Sequence, residues 1–95
     1  MLKVFKVYHA IKPTFGFLYH PPWPEGYVLV AEVIARSLDG VFSLTNHIDR
    51  PWWNNDGVTL AVSGKKYRST SVGDVIMDGE EVHRVAGIGF ERVEP

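Results

Sequence analysis

Cysteine is missing from this chain of 95 residues, which excludes disulfide staples and thiolate zinc sites and leaves the chain compatible with a reducing compartment. Long hydrophobic runs are missing too. No apolar stretch approaches the ~18 residues that a membrane span requires, and Met1-Leu2-Lys3-Val4-Phe5-Lys6 alternates where an export signal would be continuously apolar. A cytoplasmic address without membrane insertion is therefore expected. Neither sign of charge is in excess: 10 Lys and Arg face 11 Asp and Glu, for a net charge of -1. The basic excess that marks a phosphate-backbone footprint is thus absent, and the scattered acidic residues do not imitate a nucleic acid. The densest basic stretch, Lys65-Lys66-Tyr67-Arg68, reads more readily as a solvated turn between strands than as a phosphate grip.

What remains is an ordinary globular composition, 45% hydrophobic and 22% charged, on a chain the size of one small domain spanning residues 1–95. Val4 to Ile11 mixes alternation with β-branched and aromatic residues and predicts a half-buried first strand. Tyr27 to Ile34 is apolar on both faces except at Glu32, which predicts a strand inside a sheet. Between them, residues 12–26 carry Pro13, Pro21, Pro22 and Pro24 together with Phe15, Phe17, Tyr19 and Trp23. Proline removes donors and fixes φ, so this segment reads as a long aromatic loop, with a short edge strand admissible over 14–19. Such a loop serves either as a lid over the core or as a binding surface.

Ser37 is a good N-cap, Asp39 sits favourably in a first turn, and Leu38, Val41, Phe42, Thr45 and Ile48 follow a helical stripe. The spacing predicts one helix over about residues 37–48, ended by Asp49-Arg50-Pro51 because the residue before proline is driven from the α region. Thereafter the pattern is β. Strands are expected over 58–62, 65–68, 74–77, 81–85 and 90–93, with Asp78-Gly79 turning a hairpin and Gly87 and Gly89 marking a bulge or bend. One helix among many strands predicts an α+β fold, a curved and mainly antiparallel sheet with the helix packed on it.

The segment Arg68-Ser69-Thr70-Ser71-Val72-Gly73-Asp74-Val75-Ile76, followed by Gly79, Val82, Val85 and Gly89-Phe90-Glu91, resembles the C-terminal signature of the YodL-like domain family. Ser37 to Phe42 and Thr45 to Trp53 are also similar to small proteins encoded by bacteriophages, plasmids and actinobacterial genomes. The resemblance covers residues 37–93. It implies a small cytoplasmic protein without enzymatic activity, carried on mobile elements or acting through contacts with host proteins. A plain structural explanation of the motif stands beside it: Ser69 and Ser71 bond local backbone, Gly73 adopts a positive φ, and Asp74 accepts amides at a turn.

Catalytic patterns are scarce. His9, His20, His47 and His83 do not pair at metal-ligand spacing, no Gly-x-Ser-x-Gly elbow or phosphate-cradling loop occurs, and nothing points to a cofactor or metal. Asn46-His47-Ile48-Asp49 is the one polar cluster at a helix end, where His47 as a base with Asp49 orienting it competes with a histidine placed by the helix dipole. The adjacent Trp52 and Trp53 cannot both point to one face of a regular strand, so at least one should be partly exposed unless a loop buries both. Arg50, Trp52, Trp53, Trp23 and Tyr19 are thus candidates for one partner-binding aromatic surface. The expected function is a contact with a protein partner, host or self. Single-stranded nucleic acid is the alternative, with Lys65, Lys66 and Arg68 on phosphates and Trp52 or Tyr67 stacked on bases. Short strands leave edges, so a monomer or weak homodimer is expected.

Overall fold

Alternation in β1 (Lys3–Ala10) buries Phe5, Val7 and His9 on one face and leaves Val4 and Lys6 exposed on the other. The computed structural model describes residues 1–12, 21–47 and 49–94. Among these, β2 (Tyr27–Ala35), β3 (Val58–Leu60), β4 (Val75–Asp78), β5 (Glu81–Val85) and β6 (Phe90–Val93) join β1 in one sheet of order β3-β2-β1-β4-β5-β6. Every neighbouring pair is antiparallel. Opposite Val7 and Tyr8 the register of β2 skips Val30, and this bulge adds to the curvature. The fold is α+β, as the sequence predicts, with one α-helix among the described residues, α1 (Leu38–Thr45), on the sheet.

Apolar residues sort onto the two sheet faces. On the helix side Phe5, Val7, Val33, Val41, Trp52 and Ile76 form the main core. On the opposite face a smaller cluster of Ala10, Tyr27, Val75 and Val82 packs with Tyr8 and Trp23. Full burial of such side chains stabilises by ~1.5–3 kcal/mol each, so the helix-side core dominates.

Ser37 caps α1 as expected, its Oγ accepting from the Gly40 amide at 3.1 Å. The helix stops earlier than expected, at Thr45. Donors from distant residues take its last carbonyls: Asn55 Nδ2 donates to Leu44 O at 2.8 Å and the Thr70 amide to Thr45 O at 2.9 Å. Those carbonyls need no further helical turn. Ile48, the end of the expected stripe, lies outside the described residues.

Two further expectations are corrected. Residues 65–68 form no strand, because the backbone here is engaged on the helix side: Arg68 O accepts from Trp52 Nε1 and the following Thr70 amide donates to Thr45 O. The segment instead runs as an extended strap over the helix side. The β4–β5 hairpin turns at Gly79-Glu80, one residue later than read from sequence, since Asp78 pairs with Glu81. Gly79 has φ +61°, the positive value that primed turns demand at their first central position.

Candidate functional site

The strap is stitched to the end of α1 and to the 3₁₀ turn Trp52–Asn54. Asn46 Nδ2 donates to Thr70 O at 2.6 Å, Ser69 Oγ donates to His47 O, and Trp52 Nε1 donates to Arg68 O at 2.9 Å. These bonds fix the strap opposite Arg50-Pro51-Trp52-Trp53. An open cleft of about 470 Å³ lies between the two walls, lined by His47, Arg50, Pro51, Trp52, Trp53, Lys66, Tyr67, Arg68 and Ser69.

Behind the strap the signature residues build a buried polar corner. Ser71 to Asp74 form a tight turn, with the Asp74 amide donating to Ser71 O at 3.0 Å. Gly73 in its third position has φ +98°, which this turn geometry reserves for glycine. Asp74 is 1% exposed. Its carboxylate accepts from the Ala10 amide at 2.9 Å, the Ser71 amide at 2.8 Å, and both terminal nitrogens of Arg68 at 2.6 and 2.7 Å. A two-pronged pair with two added amides is the geometry in which a buried ion pair recovers its desolvation cost. Tyr27 closes the corner by donating its hydroxyl to Gly73 O at 2.9 Å.

His9 stands beside this pair, 3% exposed, with Nε2 2.9 Å from Thr70 Oγ1 and 3.9 Å from Asp74 Oδ2. Burial pushes its pKa down to about 4; the Asp74 carboxylate opposes that shift and the Arg68 guanidinium adds to it. At neutral pH the ring is uncharged and acts as a hydrogen-bonding member of the core.

The structure divides the aromatic surface expected from sequence. Arg50, Trp52 and Trp53 meet at the cleft, where Trp52 is 1% exposed and Trp53 is half-buried, their rings 5.5 Å apart edge to face. Trp23 belongs to the other side of the sheet, packed on Tyr8 and Tyr27 with ring separations of 4.9 and 5.4 Å. Tyr8 and His9 are consecutive in β1 and so face opposite ways, which separates Trp23 from Trp52. Tyr19 and His20 lie outside the described residues, as do all of residues 13–20 of the loop for which the sequence admits a lid or a binding surface. Gly89 and Phe90 close the β5–β6 hairpin: the Ala86 amide donates to Gly89 O at 3.0 Å, and Phe90 packs on the helix-side core.

Other expected contacts are not assembled. His47 Nε2 lies 3.5 Å from an Arg50 guanidinium nitrogen, and no hydrogen bond or ion pair joins His47 and Asp49 among the described residues. Trp52 is too buried to stack on a base, and Lys65 Nζ already sits 5.3 Å over the Tyr67 ring. No cluster of three metal-ligating side chains occurs among the described residues, and no described helix is long and apolar enough to cross a membrane.

Sequence reading missed the His9–Thr70 bond and the Arg68–Asp74 pair as one buried unit. Asp74 was legible as a turn acceptor, but the Ala10 amide and the His9 ring come from a strand remote in sequence. Comparison of the chain with protein-family models, curated proteins and solved structures finds no match, so the resemblance to YodL-like domains rests on the motif of residues 37–93 alone.

Proposed function

We propose that this chain is a non-enzymatic interaction protein of phage or mobile-element type, cytoplasmic, which contacts a host protein or a second copy of itself through the cleft between Arg50–Trp53 and Lys66–Ser69. One observation carries this reading: Trp53 is half-buried beside the exposed side chains of Arg50 and Lys66, on walls held by hydrogen bonds from Ser69, Trp52 and Asn46. Tryptophan and arginine dominate binding hot spots, and walls fixed in advance lower the ordering cost of association. The YodL-like resemblance supports the same class of activity.

The basic lining also supports single-stranded nucleic acid as a second reading. It is the weaker of the two, because buried Trp52 and the Lys65-covered ring of Tyr67 leave Trp53 as the remaining stacking platform at the cleft. A pull-down from bacterial lysate with the native chain and with Trp53→Ala tests the first reading. A partner captured by the native chain should disappear with the variant, whose folding is checked by circular dichroism. Equal capture by both chains rejects the cleft as the contact surface.

Self-association is expected to be weak. The edge strands are short, three residues in β3 and four in β6, and Glu91 and Arg92 put exposed charges on β6. Light scattering over a wide concentration range should return a monomer with at most a small dimer fraction. A constant dimer mass on dilution would contradict this.

A further inference from the structure

Charge and shape at the cleft narrow the partner further. Four of the nine lining residues carry basic side chains, His47, Arg50, Lys66 and Arg68, and none is acidic. Arg68 is balanced by Asp74 at 2.6 Å, so the charge presented outward comes from Arg50 and Lys66, both exposed. They stand on the two opposing walls, which also carry the half-buried Trp53 and Tyr67. A ligand matching this pattern needs negative charge on both sides of an apolar group. Stacked bases are disfavoured, since Lys65 covers the Tyr67 ring and Trp52 is inaccessible.

We infer that the cleft takes an acidic peptide segment of a partner protein, with an aliphatic or aromatic side chain resting on Trp53 and flanking carboxylates held by Arg50 and Lys66. This rests on the interaction reading above and adds the chemistry of the partner. Arginine offers a planar fork to a carboxylate, whereas lysine acts as a point charge on a flexible stem. Arg50 therefore fixes register and Lys66 contributes attraction with looser geometry. Complementary charge of this kind speeds encounter and excludes basic partners.

The test is a titration of the full chain, followed by NMR, with a capped peptide Glu-Asp-Leu-Glu-Glu, its uncharged twin Gln-Asn-Leu-Gln-Gln, and an oligothymidylate of matched charge. The Trp53 indole resonance should move with the acidic peptide, while that of Trp23, on the opposite face of the sheet, stays in place. Arg50→Gln and Lys66→Gln should each weaken binding by about tenfold, the loss expected for one charge-assisted contact, and added salt should weaken the native complex. Equal binding of the uncharged twin, or unchanged affinity in both variants, overturns the inference. Tighter binding of the oligothymidylate overturns it in favour of nucleic acid, and a Trp53 shift on simple dilution overturns it in favour of a second copy. A peptide failure combined with a Trp53-dependent partner in the pull-down rejects the acidic segment while the interaction reading stands.

Discussion

Arg68 and Arg50 border one cleft, and their surroundings are opposite. Arg68 reaches back through the strap to Asp74, Ser69 O, Ser71 and Ala10 O, so its guanidinium ties the strap, β1 and the turn before β4 into one unit. Arg50 is exposed, and a guanidinium nitrogen lies 3.5 Å from the imidazole Nε2 of His47. The same residue type thus serves folding at one position and presents a charge at the other. What separates the roles is the carboxylate: Asp74 sits where Arg68 points, and no acidic residue lines the cleft that Arg50 faces. Conversion of one environment into the other tests the distinction.

The largest effect is expected from Asp74→Ala. It strips the acceptor from the Arg68 guanidinium and from the Ala10 and Ser71 amides. Breaking a buried pair from one side costs ~3–5 kcal/mol, a large share of the ~5–15 kcal/mol typical of a folded domain. Urea unfolding measures the loss. A change below ~1 kcal/mol, the scale of an ordinary hydrogen bond, would place the corner outside the cooperative core and erase the contrast with Arg50.

A somewhat smaller effect should follow from acid. Folded His9 has a pKa of about 4, against 6.5 as its ordinary value. As pH falls the unfolded chain therefore takes up this proton first. The stability contributed by neutral His9 is complete above pH 6.5 and drains away between 6.5 and about 4. A shift of this size corresponds to about 3 kcal/mol at the acid end. The urea midpoint should fall across that window more steeply in the native chain than in His9→Gln, which keeps a hydrogen-bonding group and does not titrate. Parallel profiles would mean that His9 opens to solvent and charges without unfolding the corner.

Local chemistry was legible in the sequence where it decided the structure. Ser37 caps α1, β1 and β2 stand where alternation and apolarity put them, and Gly73 and Asp74 make the turn that their types suggest. Long-range chemistry was not. The helix ends at Thr45 because Asn55 and Thr70 arrive from elsewhere with donors. Lys65 to Arg68 reads as β in sequence, yet its backbone bonds go to the helix side, where Arg68 O meets Trp52 Nε1 and the Thr70 amide just beyond meets Thr45 O. At the site, adjacency of Trp52 and Trp53 suggested that at least one would be partly exposed unless a loop buried both; Trp53 is half-buried and Trp52 buried, in a 3₁₀ turn and not a strand, and their link to Arg50 is local. The grouping with Trp23 failed because an aromatic residue in a loop does not say which sheet face it will cover. That choice follows from Tyr8 pointing to one face of β1 and His9 to the other.

The smallest effect on stability is expected from Arg50→Gln, and its smallness is the informative part. An exposed side chain without a buried partner contributes within about ±0.5 kcal/mol on replacement, and the His47 contact at 3.5 Å lies at the long end of hydrogen-bond geometry. Glutamine keeps the length and polarity of the arm and removes only the charge, so the urea midpoint should stay at the native value while acidic-peptide binding weakens. Arg68→Gln is the matched partner for comparison: it leaves the Asp74 carboxylate buried beside neutral His9 and should lower the midpoint markedly. If both substitutions destabilise alike, by more than ~1 kcal/mol, then Arg50 also braces the cleft wall. Its charge would then be structural, and the division of labour between the two arginines would be lost.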